Sequence, residues 1–151
     1  MELTAQALAI IGAALAAALA GIGSAIGVQM GGKAAAGVMS EKPELFGKLI
    51  ILQALPGTQG MYGFIVAILV LAKVTAMTDL TPVTDGWRLF FACLPIALVG
   101  LVSAIFQAKM AVAAIHMTAK QPASSGRGIT MTVLVETYAI LALLASILLI
   151  G

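Results

Sequence analysis

The sequence predicts an all-α membrane protein of four transmembrane helices, arranged as two tandem duplicated helical hairpins. Three observations carry that expectation. Of the 151 residues, 62% are hydrophobic and only 9% charged, against roughly a quarter charged in soluble domains. Four charge-poor runs are each near or above the roughly 20 residues that a membrane-spanning helix needs. The chain also superposes on itself, without a gap, when shifted by 79 positions.

The first helix is expected at about residues 3–39, since no charge falls between Leu3 and Gly32 and the run is dominated by Ala and Gly. Its small-residue stretch "ALAAALAG" could serve a secretory signal, but there is no basic leading region and residue 2 is Glu2. Gly23, Gly27 and Gly31 recur every four residues, the spacing that lets helix backbones approach closely. A helix this thin suits an inner layer, with the Leu- and Ile-rich second and fourth helices outside it against lipid. The stretch "GVQMGGKA" is one residue from a phosphate-binding loop. Ala34, however, lacks the hydroxyl that would meet magnesium, and no strand precedes it, so no nucleotide site is expected.

The second helix, at about 45–76, is charge-free from Leu49 to Ala72. Pro56 lies in its middle, where it removes the bond to the carbonyl of Leu52 and displaces the carbonyls around it. The third, at about 86–118, is charge-free from Leu89 to Ala108 and holds the single Cys93, so no intrachain disulfide can form. Trp87 reads as an interfacial residue. The fourth, at about 125–150, is charge-free from Gly128 to Gly151 except for Glu136. The hairpins are thus residues 1–76 and 77–151. Lys33, Lys42, Lys48, Lys109, Lys120 and Arg127 flank the short loops 40–48 and 118–128, whereas Lys73 and Arg88 alone flank the middle connection. That asymmetry places both short loops in the cytoplasm and both termini outside. His116, beside Lys120, reads as an exposed residue at a helix end. No basic block with interleaved aromatics suggests nucleic acid.

The internal repeat is more than shared Ala and Leu. At the offset of 79, Ser24-Ala25-Ile26 falls on Ser103-Ala104-Ile105, Gly21 on Gly100, Pro43 on Pro122, Gly47 on Gly126 and Thr58 on Thr137. The hairpins are parallel copies, because two spans return the chain to its starting side. Glu136 falls on Gly57, so the first hairpin has no acid of its own.

An acid in the middle of a span is a functional candidate, because a charge there costs roughly 2.5 to 3.5 kcal/mol on insertion scales. If each hairpin folds about its proline, Gln107 lies fifteen residues before Pro122 and Glu136 fourteen after it, while Thr58 and Gln59 lie fifteen and sixteen after Pro43. At about 1.5 Å per residue all reach a depth of roughly 21 Å. Thr58, Gln59, Gln107 and Glu136 therefore form one polar layer. It offers oxygens and a carboxylate with no histidine or thiolate near, a donor set for hard cations rather than zinc or copper. Single Gln and Thr residues usually hold helices together; three at one depth with an acid, four polar residues in all, favour a site. Tyr62, one helical turn beyond Thr58, could reach the carboxylate, and Tyr138 is either an interface anchor or part of the core.

The segments "ILQALPGTQGMYGF", "GLVSAIFQAKMAVAAI" and "LVETYAILALL", in a duplicated hairpin, resemble the rotor-ring proteolipid, known as K or c, of V-type and archaeal or bacterial A-type rotary ATPases. The resemblance covers essentially the whole chain. In its sodium-translocating branch it implies that Na+ is held by Glu136, Gln107, Gln59, Thr58 and the backbone carbonyl of Leu55, next to Pro56, with Tyr62 bonded to the glutamate. It further implies a ring of identical copies in a prokaryotic membrane, a stator subunit whose arginine meets each glutamate, and central-stalk subunits on the cytoplasmic loops. The chain would carry no ATP chemistry and no cofactor. The alternatives are the same rotor carrying H+, or a structural or pore-forming four-helix protein in which Glu136 only locks helices.

Overall fold

A computed structural model describes residues 4–151, and every regular element in it is helical. Helix α1 runs from Ala5 to Met39; the expected start at Leu3 lies outside the described residues. It opens on Thr4, whose hydroxyl accepts the Ala7 N–H at 3.2 Å and so satisfies one of the donors that a helix start leaves free. A 3₁₀ turn at Pro43–Leu45 leads into α2, Phe46–Ala54. A second 3₁₀ turn, Leu55–Gly57, separates α2 from α3, Thr58–Val74. After a connection, α4 covers Val83–Lys120, a third 3₁₀ turn covers Pro122–Ser124, and α5 covers Ser125–Ile150. Four helical stretches, Ala5–Met39, Pro43–Val74, Val83–Lys120 and Pro122–Ile150, are long and apolar enough to cross a membrane.

Both hairpin turns begin with the repeat-related prolines, Pro43 and Pro122, at the first position of a 3₁₀ turn, where the fixed φ suits the turn and the missing N–H costs nothing. The second span differs from the single helix expected over 45–76. Pro56 has no N–H to continue the ladder, and the backbone tightens there into the turn that divides α2 from α3. By contrast α4 passes through Pro95 unbroken. The N–H of the next residue, Ile96, donates to the Ser146 hydroxyl of α5 at 3.3 Å.

The central pair is α1 and α4; α3 packs on α1 and α5 on α4. Glycines set how close the central pair comes. A Cβ at Gly12 would lie 2.8 Å from Phe90 Cα, and one at Gly23 would lie 2.6 Å from the Leu101 carbonyl oxygen. Around these contacts Ala9, Ala13 and Ala16 pack with Leu89, Ala92, Cys93 and Ile96. The large apolar side chains of α3 and α5, among them Met61, Phe64, Ile68, Leu134, Leu141 and Leu148, face outward. That is the reverse of a soluble bundle and fits a hydrocarbon or helix neighbour.

At one end of the bundle the hairpins are tied by lysines on carbonyls: Lys42 Nζ donates to Ala119 O at 2.6 Å and Lys48 Nζ to Pro122 O at 3.0 Å. Cations are favoured at this helix end, where α4 leaves its last carbonyls unpaired. At the other end Gln6 Nε2 donates to Met77 O at 3.0 Å and Arg88 to Ile150 O at 3.2 Å.

Candidate functional site

The turn at Pro56 puts a helix ending and a helix start side by side inside a span. The carbonyl of Leu55 accepts the backbone N–H of Thr58 and also its hydroxyl, at 3.0 Å. The same hydroxyl lies 3.4 Å from Gln59 Oε1. Gln59 Nε2 donates to Gln107 Oε1 of α4 at 2.6 Å. Gln107 Nε2 in turn donates to Glu136 Oε2 of α5 at 3.3 Å and to the Thr132 carbonyl at 3.2 Å. The other carboxylate oxygen, Oε1, accepts the Tyr62 hydroxyl of α3 at 2.5 Å. A continuous chain of polar contacts therefore runs from the Leu55 carbonyl to Glu136.

Three helices and the 3₁₀ turn at Leu55 supply this layer, and its amides and carboxylate are buried. Gln59 and Gln107 are 0% exposed and Glu136 6%. Pro56, also buried, has no N–H to offer; it shapes the turn and packs against Gly27, where a Cβ would fall 2.7 Å from its own. The structure thus brings together Leu55, Thr58, Gln59, Tyr62, Gln107 and Glu136. Tyr138 stands apart, pointing outward at 68% exposed. His116 is exposed near the end of α4, and Trp87 stacks on Phe91 with ring centres 5.6 Å apart.

Sequence reasoning missed a buried set around this layer. Ser103 on α4 accepts from Gln59 Nε2 at 3.4 Å and donates to the Val135 carbonyl at 3.3 Å. Ser24 on α1 accepts the Gly60 N–H at 2.8 Å. The repeat had matched these serines to each other, and that was the one available signal.

A buried carboxylate with amide, hydroxyl and carbonyl oxygens around it, set in a bundle of membrane-length helices, defines the class: a membrane protein with a polar layer of the chemistry that can hold a small cation or a proton. The comparisons with known proteins make the class specific. The family model for the ATP synthase C-subunit matches residues 11–70 and again residues 90–149, two segments separated by the same offset of 79. The chain belongs to this family of rotor-ring proteolipids. It is 46% identical to the V-type sodium ATPase subunit K of Enterococcus hirae over 142 residues, 94% of this chain and 89% of that one. It is 43% identical to the A-type ATP synthase subunit K of Methanocaldococcus jannaschii over 139 residues, 92% of this chain and 60% of that one.

Proposed function

We propose that this chain is the rotor subunit of a V- or A-type rotary ATPase or ATP synthase and that each copy carries one Na+ across the membrane at Glu136. The observation that carries the reading is the oxygen count at the buried acid. A proton needs only a carboxyl and one partner, which Tyr62 alone would supply. Leu55 O, Thr58 Oγ1, Gln59 Oε1 and Gln107 Oε1 are further oxygens joined to the carboxylate by contacts of 3.4 Å or less. Hard cations take such ligands, and the bacterial relative is named a sodium ATPase subunit.

In this reading Glu136 and Na+ together are neutral while the site faces lipid, so the ring turns without dragging a bare charge through hydrocarbon. Opposite an arginine on a stator subunit the ionised, unloaded carboxylate is favoured and the ion leaves. Moving one charge across the membrane is worth about 2.3 kcal/mol per 100 mV, so several ions pass for each ATP. The ATP chemistry belongs to other subunits. In this reading the lysine-rich end at Lys42 and Lys48 is the cytoplasmic one and bears on the central stalk, which the bias of basic residues toward cytoplasmic loops supports.

The test is labelling of Glu136 by a hydrophobic carbodiimide, which reacts with the protonated carboxyl. Added Na+ should slow labelling, and the protection should weaken as pH falls because protons compete for the same oxygens. Gln107→Leu should raise the Na+ concentration that gives half protection. Labelling indifferent to Na+ at every pH would transfer the reading to protons.

A further inference from the structure

Helix α3 starts in the middle of a span, where the first N–H groups of a helix have no intrahelical acceptor and hydrocarbon offers no water to satisfy them. The residue at its cap position is Gly57, which has no side chain to help. Ser24 of α1 does so instead, because its hydroxyl oxygen accepts the N–H of Gly60, the third residue of α3, at 2.8 Å. Gly60 permits the approach, since a Cβ there would lie 3.2 Å from both Ser24 Cβ and Oγ.

Ser103 acts on the adjacent residue from the other side. Its hydroxyl hydrogen is directed to the Val135 carbonyl at 3.3 Å, so its oxygen is left to accept from Gln59 Nε2 at 3.4 Å. With that nitrogen also donated to Gln107 at 2.6 Å, the amide cannot turn over without losing both bonds, and its oxygen stays on the Thr58 side. Ser24 and Ser103 occupy the same place in the two copies of the repeat. Duplication has thus brought one serine from each hairpin onto successive residues of a single helix start.

Resting on the sodium reading above, we propose that Ser24 and Ser103 are positioning residues. They clamp the restart of the second span from both flanks, hold the Gln59 oxygen toward the ion, and thereby set the sodium affinity of the site. Neither touches the carboxylate.

The experiment uses intact rings in the assembled complex, with half protection of Glu136 from carbodiimide by Na+ as one readout. The other is hydrogen–deuterium exchange of the segment 58–61. Ser24→Ala and Ser103→Ala should each raise the half-protecting Na+ concentration about fivefold, the equivalent of one net hydrogen bond. Ser103→Thr should restore it. The added methyl has room, because Ser103 opens onto a cleft of about 380 Å³ lined by Leu98, Val102, Phe106 and Tyr138. Ser24→Ala should also speed exchange at Gly60 while leaving α5 unchanged. If Ser103→Ala rings do not form, Ser103→Val against Ser103→Thr, side chains of nearly equal volume, makes the same comparison. A merely structural serine would lower ring stability without moving the sodium midpoint. Unchanged midpoint and unchanged exchange overturn the clamp. If wild-type labelling ignores Na+, the sodium reading falls separately, and exchange at Gly60 decides the clamp alone.

Discussion

Glu136 is held by one hydroxyl and one amide, Tyr62 and Gln107, so removing its charge need not remove its fit. Glu136→Gln keeps nearly the same volume and is neutral in lipid. Rings of this variant should assemble with normal yield, as read by native mass spectrometry, while ion uptake into vesicles by the reconstituted complex should fall to background. Uptake at the wild-type rate would end the carrier reading. At this scale the sequence was informative wherever depth was the question. Counting residues from Pro43 and Pro122 set Thr58, Gln59, Gln107 and Glu136 at one level, and the one-turn spacing from Thr58 pointed Tyr62 at the acid. It paired Ser24 with Ser103 through the repeat but named no partner for either or for Ser146, because a lone serine in a helix carries no signal of which neighbour it faces. Depth follows from the rise per residue; hydrogen-bond partners follow from rotation about the helix axis and from interhelical distance, which a linear count does not contain.

Two prolines lie inside spans, and their neighbours decide what each does. After Pro95, the Ile96 N–H finds Ser146 Oγ, and α4 continues. After Pro56 come Gly57, without a Cβ, and Thr58, whose hydroxyl holds the Leu55 carbonyl; there the helix stops and restarts. The sequence showed Pro56 as a disturbance within one helix over 45–76, but the outcome depended on partners in other helices. The break is packed against Gly27 of α1, where an added Cβ would lie 2.7 Å from Pro56 Cβ and 3.0 Å from the Ala104 carbonyl oxygen. Gly27→Leu therefore forces α1 away from both α4 and the turn, and overpacking of this kind costs about 1 to 3 kcal/mol. The expected result is a marked loss of assembled ring in mild detergent. Rings of normal yield and unchanged thermal stability would show that α1 does not make this close contact.

Across the whole molecule, the two hairpins share a backbone plan and differ in the chemistry placed on it. At the register that superposes them, Gln107 and Glu136 correspond to Val28 and Gly57. Those two residues also meet: a Cβ at Gly57 would stand 3.3 Å from Val28 Cγ2. The place that holds amide and carboxylate in the second hairpin is thus closed by a valine and a glycine in the first, giving one acid per four spans. The difference predicts an asymmetry in what the chain tolerates. Gly57→Glu alone puts a carboxylate against a valine methyl with no amide to meet it, and an unpaired charge at this depth costs several kcal/mol even after relaxation. Ring yield should fall sharply. Adding Val28→Gln removes the methyl and offers a donor in the register where Gln107 serves Glu136, so the double variant should recover part of that yield. The measurement is the amount of intact ring from the single and double variants expressed side by side. Equal loss in both would mean that the two sites are related in sequence register but not in the space they enclose.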